Sequence, residues 1–316
     1  MSDRNEELVL ELPHLLSHWG LQMLAIHPEL SIAGSPERTL HREVLEDTAR
    51  MLFVLEEVPL SRRGAREQQF RMQRQLLTGG VLGIVPWIPA GDGTPGVVHD
   101  GSFWQLRRWL PGETLDREHY GQDGWRGKAA AAFLQQMNCA RPEPPPGRFL
   151  LSEYITGLLP HIRQRIPALE QDIAPVLREL QPFLETEKQL PAAFAHGDFH
   201  PGNILWGKET INGVIDWEFN GTKTAGYDAA NLLGCLGMDT PENLTAPFAM
   251  EFIRSIRETA IIPADAWDFL PLHIAALRLA WLREWVARKD KAMICQELDF
   301  IWLIIDNAGM LRKRWT

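Results

Sequence analysis

The chain has 316 residues, of which 45% are hydrophobic and 23% are charged, and its formal net charge is −9. This length and composition predict a folded protein with two lobes or two small domains. The acidic balance excludes the basic footprint of a nucleic-acid-binding protein, and the longest apolar stretches are far shorter than the ~18 to 20 residues that cross a bilayer. Residues 1–7 lack a basic region followed by an apolar core, so we expect a cytoplasmic location and no membrane partner.

The first third of the chain is predicted to form a small lobe that contains both strands and helices. Apolar residues at helical spacing predict helices, and short runs rich in β-branched residues predict strands. The predicted order is a helix, three strands, a helix and two strands: 8–21, 24–32, 39–45, 51–58, 65–77, 81–88 and 103–110.

The rest of the chain is predicted to be largely helical, apart from a stiff proline-rich loop over residues 141–147. Pro111 and Gly112 interrupt the pattern, so we place the boundary between the lobes after residue 112, which gives domains 1–112 and 113–316. The predicted helices cover 124–139, 151–181, 225–237, 243–259, 264–289 and 291–313.

Two motifs in the second half carry the chemistry. Residues 196–203 read His-Gly-Asp-Phe-His-Pro-Gly-Asn, and residues 213–218 read Gly-Val-Ile-Asp-Trp-Glu. In kinase sites one Asp accepts the proton of the attacking hydroxyl, while an Asn five residues later and a second Asp hold metal ions on the phosphates. These three places are fitted by Asp198, Asn203 and Asp216. A predicted hairpin over 203–217 would bring Asn203 and Asp216 to the same end of the hairpin.

The two motifs, together with Gly-Tyr-Asp-Ala-Ala-Asn-Leu at 226–232, resemble the aminoglycoside phosphotransferase and choline kinase family. The resemblance is specific over about residues 190–235, and Trp-Leu-Pro-Gly-Glu at 109–113 gives looser support. It implies an α+β, two-lobed protein-kinase-like fold. The small antiparallel-sheet N-terminal lobe would bind the nucleotide, and the larger, mostly helical C-terminal lobe would carry the catalytic loop and the acceptor pocket.

The resemblance also implies ATP, or GTP in some members, together with Mg²⁺. Asp198 would be the catalytic base, and Asn203 and Asp216 would be the metal ligands. His196 is a candidate catalytic-loop residue that would brace the loop rather than touch substrate. Asp228 and His200 are candidates for structural support of the loop.

The small lobe departs from the family pattern at its third strand. Glu56 falls where a lysine normally grips the nucleotide phosphates, and its partner on the following helix would be Glu67 or a neighbour. Three explanations are open: Arg42 on the adjacent strand replaces the lysine, Glu56 holds an extra Mg²⁺, or nucleotide binding is weakened or lost. The glycine-poor segment 33–37, with Ser35, is the candidate phosphate loop.

The predicted function is transfer of the ATP γ-phosphoryl group to a hydroxyl of a small molecule, namely an amino sugar or a choline-like or homoserine-like acceptor. The net charge would favour a cationic acceptor. Glu56 motivates the main alternative, a catalytically silent kinase-like module that binds a nucleotide or metabolite, and protein phosphorylation is a third. Either a monomer or a homodimer is compatible with the sequence.

Overall fold

The computed structural model describes residues 2–30, 38–144 and 146–316, with side chains from residue 10 onward in these ranges. The strands are β1 Met23–Ile26, β2 His41–Asp47, β3 Leu52–Pro59, β4 Trp87–Ile88, β5 Val97–His99, β6 Ser102–Arg108, β7 Ala192–Ala195, β8 Ile204–Trp206, β9 Ile211–Val214 and β10 Gly221–Thr224. The helices are α1 Ser2–Ser17, α2 Arg63–Thr78, α3 Gly124–Ala140, α4 Leu151–Arg165, α5 Leu169–Thr186, α6 Tyr227–Asp239, α7 Pro247–Thr259, α8 Ala264–Trp267, α9 Leu270–Arg288, α10 Lys291–Asp306 and α11 Ala308–Trp315.

The N-terminal lobe is built on one antiparallel sheet in the order β1-β2-β3-β6-β4, with β5 also pairing with β6. Because side chains alternate along a strand, the two faces differ sharply. One face carries apolar residues such as Leu45, Leu55 and Leu106, which pack with Leu12 and Leu16 of α1. The other face carries the polar residues Arg42, Glu56, Gln105 and Arg107.

The C-terminal lobe has its own, larger apolar core. Helices α3 and α7 pack together, and α9 lies at the centre in contact with α4, α6 and α10. Two small two-stranded sheets, β7 with β10 and β8 with β9, carry the predicted motifs on one side of these helices. The loop between β7 and β8 contains Asp198, and Asp216 lies two residues after the end of β9.

The predicted fold class is confirmed, but several elements are shorter than predicted. The strand expected over 81–88 is reduced to Trp87–Ile88, because Gly83 adopts a turn with φ of +81°. The helix expected over 151–181 breaks into α4 and α5 at Ile166, since a residue before proline is driven out of helical backbone. The helices expected over 264–289 and 291–313 are each divided in two as well.

The chain passes between the lobes through residues 109–116, which form neither helix nor strand. The Trp109 N–H donates to Leu52 O in the small lobe (3.0 Å), and the Glu113 N–H donates to Trp206 O in the large one (2.8 Å). The division after residue 112 stays a prediction. None of the helices in the described ranges has the length and apolar character needed to span a membrane.

Candidate active site

Residues 196–203 form the loop that the sequence predicts to be catalytic, and we call it the catalytic loop. Two asparagine side chains hold Asp198 in this loop. Asn203 Nδ2 donates to the backbone oxygen and to Oδ2 of Asp198, each at 3.0 Å, and Asn231 Nδ2 lies 3.4 Å from Oδ1. Burial alone would raise the pKa of Asp198, but the nearby imidazole of His200, whose Nε2 lies 3.7 Å from Oδ2, holds it below its usual range. Asp198 is therefore an ionised, oriented carboxylate at neutral pH.

The loop is braced from beneath by Asp228, at the start of α6. Its carboxylate accepts the backbone N–H groups of His196 (2.7 Å) and Gly197 (2.9 Å). Gly197 has φ of +87°, and a Cβ there would lie 2.1 Å from Phe219 O, so no other residue fits. Burial raises the pKa of Asp228 to about 6.

His196 is fully buried and both of its ring nitrogens are occupied. Nδ1 accepts the Asp198 N–H (3.2 Å), and Nε2 donates to Ile215 O (3.0 Å), the residue before Asp216. Burial lowers the pKa of His196 to about 4, so the ring is neutral. These contacts make His196 a link between the two motifs, and His200 similarly accepts the Gly202 N–H through Nδ1.

Asp216 lies in left-handed backbone, with φ of 61° and ψ of 63°, at the turn that follows β9. Burial, and then the negative charges of Glu218 and Asp198, raise the pKa of its carboxyl above the usual range. A nearby cation would relieve this crowding of acids. Asp216 and Asn203 both line the same cavity.

The donor set fits a Mg²⁺ ion that arrives with phosphates. Within the described ranges no group of three His, Cys, Asp or Glu side chains forms a ready cation cage. Mg²⁺ in kinase sites is usually held by one or two protein oxygens, with phosphates and water supplying the rest. Asp216 can contribute a carboxylate, and Asn203 an amide oxygen, since its Nδ2 is occupied by Asp198.

The cavity beside Asp216, which we call the arginine cleft, has a volume of about 230 Å³. It lies between the polar face of the N-terminal sheet, helix α2 and the end of the catalytic loop. In the part of the chain that the structure describes, its charged lining comprises four arginines and three carboxylates: Arg38, Arg42, Arg66, Arg107, Glu56, Asp216 and Glu218.

Glu56 is 1% exposed and lies among these arginines. Its Oε1 accepts Arg66 Nη2 at 2.8 Å and the Thr39 hydroxyl at 2.9 Å, and it is 3.3 Å from Arg42 Nη2. Burial opposes ionisation, but the charges of Arg66, Arg42 and Arg107 outweigh it and lower the pKa of Glu56. Glu56 is therefore a buried anion neutralised by protein cations.

Of the predicted candidates on helix α2, Glu67 or a neighbour, the partner of Glu56 is the neighbour Arg66. Glu67 points away from the cleft and pairs with Arg63 one turn earlier on the helix surface (2.7 Å). Arg66 also contacts Glu218 Oε1 at 3.0 Å. Kinases pair a lysine on the third strand with a glutamate on the following helix. In this pair the strand carries the acid, Glu56, and the helix carries the cation, Arg66.

Arg107 is the cation of the cleft that lacks a carboxylate partner. It is 8% exposed, and among the described residues no carboxylate lies within 4.0 Å of its guanidinium. Its Nε has no hydrogen-bond acceptor in this part of the chain, and its guanidinium lies 5.2 Å from the centre of the Trp87 ring. Burial lowers the pKa of Arg107 to about 10, which leaves it charged at neutral pH.

A second cavity, which we call the aromatic pocket, lies on the other side of the catalytic loop and has a volume of about 430 Å³. Gly197 of the loop lines it, whereas Gly202 and Asn203 at the other end line the arginine cleft. Its remaining walls come mainly from α4, β10, α6 and α9. The lining side chains that carry rings or charges are Phe149, Tyr154, Phe219, Lys223, Tyr227, Trp281, Arg283, Glu284 and Arg288.

The structure thus brings together Asp198, Asn203 and Asp216, and it places Arg42 and Glu56 in the adjoining cleft. Ser35 and the segment 33–37 lie outside the described residues. Sequence reasoning missed several charged residues that line these cavities: Arg38, Arg66, Arg107, Glu218, Lys223 and Arg288. The strand alternation could have indicated Arg107, which follows Gln105 on the face of Glu56.

Residues 44–270 match the sequence profile of the APH phosphotransferase enzyme family. The chain belongs to this family. Its curated relatives include homoserine kinases from Zymomonas mobilis (28% identical over 100 residues, 31% of each protein) and Beijerinckia indica (29% identical over 145 residues, 42% of this chain and 43% of that one). The matched region therefore spans less than half of the length of these relatives.

Solved structures of low sequence identity share the fold over nearly the whole chain. Amicoumacin kinase hAmiN, in complex with AMP-PNP, Ca²⁺ and Ami, has a TM-score of 0.68 at 16% identity, covering 96% of this family member and 93% of that chain. A choline/ethanolamine kinase family protein from Mesorhizobium loti has a TM-score of 0.68 at 16% identity, covering 100% and 99%. The GDP complex of aminoglycoside 2′-phosphotransferase-IIIa has a TM-score of 0.62 at 16% identity, covering 95% and 98%. The predicted family and kinase-like fold are confirmed.

Proposed function

We propose that this protein transfers the γ-phosphoryl group of ATP, with GTP as a possible donor, to a hydroxyl group of a small molecule. The observation that carries the proposal is that one loop borders both cavities. The catalytic loop lines the aromatic pocket at Gly197 and the arginine cleft at Asn203, with Asp198 between them. A nucleotide in the cleft and an alcohol in the pocket would meet at Asp198.

In this mechanism Asp198 orients the acceptor hydroxyl and accepts its proton as the oxygen attacks the γ-phosphorus. Asn203 holds the Asp198 carboxylate, and Asp228 and His196 fix the loop around it. Asn203 and Asp216 are the residues that would hold Mg²⁺. When bound, the ion neutralises charge on the phosphates during the transfer.

Arg42 and Arg107 are the residues proposed to bind the nucleotide phosphates. Arg107 lies on the polar face of the sheet, where a side chain could bind phosphate. It has no carboxylate partner among the described residues. Guanidinium groups bind phosphate oxygens through charge-assisted hydrogen bonds. Arg66 has a different role, because its contacts with Glu56 and Glu218 join α2 to the sheet and to the segment after Asp216. Residues 1–112 would then be the nucleotide-binding lobe and 113–316 the acceptor-binding lobe.

The first test is calorimetric titration of the purified protein with ATP, with and without Mg²⁺. We expect Mg²⁺-dependent binding in the wild type and about 10- to 100-fold weaker binding in Arg107→Gln, the range for loss of a hydrogen bond between charged groups. Arg108→Gln is the matched control, because Arg108 is the exposed neighbour on β6. It should bind ATP as the wild type does.

Absence of ATP binding by the wild type at millimolar concentration would contradict the proposal and favour the silent module. Equal affinity of Arg107→Gln and Arg108→Gln would reject the assignment of Arg107 alone. An assay of phosphate transfer to amino sugars, amino alcohols and hydroxy acids follows if ATP binds.

The pH dependence of turnover should reflect Asp228. Its carboxylate must be ionised to accept two N–H groups, so we expect kcat/KM to fall about tenfold per pH unit below the pKa of about 6. The stability effect has the opposite sign. The pKa of Asp228 is about 6 in the folded protein, above its ordinary value of 3.8. The free energy of unfolding should therefore fall, by up to ~3 kcal/mol, as the pH rises from 3.8 through 6.

Asp198 cannot produce the same acid limb, because its pKa is lowered. A pH–rate profile of the wild type that stays level from pH 7 to about 5 would contradict the role of Asp228. In Asp228→Asn the limb near pH 6 should disappear, and the remaining activity should be lower at every pH. Circular dichroism at each pH separates loss of turnover from loss of folding.

A further inference from the structure

We infer that the acceptor bound in the aromatic pocket is an alcohol that also carries an anionic group, such as a hydroxylated carboxylic acid. This inference rests on the proposed phosphotransferase function and adds the chemical class of the acceptor. It is carried by Lys223 on β10, a buried cation whose ammonium group faces the pocket.

Lys223 is 6% exposed, yet it has no anionic partner among the described residues. No carboxylate in this part of the chain lies within 4.0 Å of Nζ, and none of the acceptors there receives a hydrogen bond from it. Its neighbours are the rings of Phe149 and Tyr227, whose centres lie 4.5 and 4.9 Å from Nζ. Asp228 acts on it only at longer range, and both Asp228 oxygens accept N–H groups of the loop.

An unpaired buried ammonium destabilises a folded protein. The position of Lys223 indicates what could compensate for this. Its Cε would lie 2.7 Å from a Cβ built on Gly197, so the side chain runs against the residue that precedes Asp198. An anionic group of an acceptor bound beside the catalytic base would supply the missing partner.

The other charged side chains of the pocket are also predominantly positive, as Lys223 is. Glu284, the one acidic side chain among the described residues of its lining, is 2.6 Å from Arg288 on the next turn of α9, so its charge is compensated there. Arg283 lies over the Tyr154 ring, 5.7 Å from its centre. The described residues of the lining therefore carry a net positive charge, although the whole chain has a formal charge of −9. A polycationic acceptor would meet like charges without a compensating carboxylate.

The apolar walls indicate the rest of the ligand. Phe149, Tyr154, Tyr227 and Trp281 present aromatic surface to a cavity of about 430 Å³. Pockets of this size accommodate drug-sized ligands, and aromatic walls favour flat apolar groups. The class that fits is an alcohol with a ring-sized apolar body and one anionic group.

Three probes with one skeleton test this: meta-(hydroxymethyl)benzoate, its neutral amide and the cationic meta-(hydroxymethyl)benzylamine. Binding of each to the full chain is measured by calorimetry without nucleotide, so the result does not depend on turnover. We expect the benzoate to bind about 10- to 100-fold more tightly than the amide, and the benzylamine to bind most weakly. Equal or tighter binding of the amide or the amine, or no binding of all three at millimolar concentration, would overturn the inference.

Two variants assign the preference to the ammonium group. Lys223→Met should remove the difference between benzoate and amide, and Lys223→Arg should keep most of it. The unfolding midpoint of Lys223→Met should be equal to or above that of the wild type, because a buried charge without an anionic partner is removed. A merely structural lysine would give a lower midpoint and an unchanged preference for the benzoate, and that result would overturn the inference.

Transfer of phosphate is measured separately. Lys223-dependent benzoate binding in a protein that does not bind ATP would support the anion site and contradict the phosphotransferase proposal. Phosphorylation of choline or an amino sugar, with the benzoate unbound, would support the phosphotransferase and overturn the anion site.

Discussion

Asp198→Ala is expected to lower kcat by ~10² to 10⁴, the range that general-base catalysis contributes. The carboxylate belongs to the loop residue between Gly197, which lines the aromatic pocket, and Asn203, which lines the arginine cleft. Its lowered pKa keeps it ready to accept a proton at neutral pH. ATP affinity should change little, because Asp198 does not line the arginine cleft. The measurement is single-turnover phosphate transfer at saturating ATP, with ATP affinity determined by calorimetry on the same sample.

Asp116→Ala is the matched control, since Asp116 is an exposed carboxylate of the same lobe whose partner is His119 at 3.0 Å. It should turn over as the wild type does. Equal turnover by the Asp198 variant and the wild type would defeat the assignment of the base. A large fall in ATP affinity, with the rate of the chemical step unchanged, would show that Asp198 acts in nucleotide binding and not in catalysis.

Glu56→Gln is expected to lower the free energy of unfolding by ~3 to 5 kcal/mol in the absence of nucleotide, as when one partner of a buried ion pair is removed. Glu56 is the anion shared by Arg66, Arg42 and Arg107, and the amide keeps its shape without its charge. Glu56→Lys, which introduces the residue usual in kinases, should be at least as destabilising because it adds a fourth cation. Urea unfolding followed by circular dichroism measures both.

Glu67→Gln separates this effect from the loss of any glutamate in the same region. Glu67 lies one helical position after Arg66 and pairs with Arg63 at the surface, where such pairs contribute up to ~1 kcal/mol. A similar loss of stability in Glu56→Gln and Glu67→Gln would contradict the buried role of Glu56. Unchanged or increased stability of Glu56→Lys would show that the exchanged charges are not needed for folding.

The sequence was most informative where chemistry restricts several neighbouring residues at once. Asp198, Asn203 and Asp216 were predicted together because a base and metal ligands must converge on one phosphorus, and the structure places them in one region. Local signals also predicted β2, β3 and β6, whose β-branched, leucine and aromatic residues favour strands.

The failures concern contacts between residues far apart in the chain. Lys223 lies on a short strand, β10, which pairs with β7, and nothing near it in sequence indicates burial. The partner of Glu56 was sought as an acid because the family pattern suggested one. Which of the neighbours Arg66 and Glu67 faces the sheet depends on the rotation of α2, which packing decides and a sequence of mixed polar residues does not.

The contacts of Arg66 with Glu56 and Glu218 also constrain how this protein can evolve. Reaching the usual arrangement of charges requires two substitutions, one on β3 and one on α2. A lysine introduced first at position 56 would face Arg42, Arg66 and Arg107, whereas a glutamate introduced first at position 66 would face Glu56 and Glu218. Each intermediate places like charges in a buried site. The two arrangements, acid on the strand with cation on the helix and the reverse, are therefore separated by a mutational barrier. A lineage that has one arrangement keeps it, because the first of the two substitutions destabilises the protein.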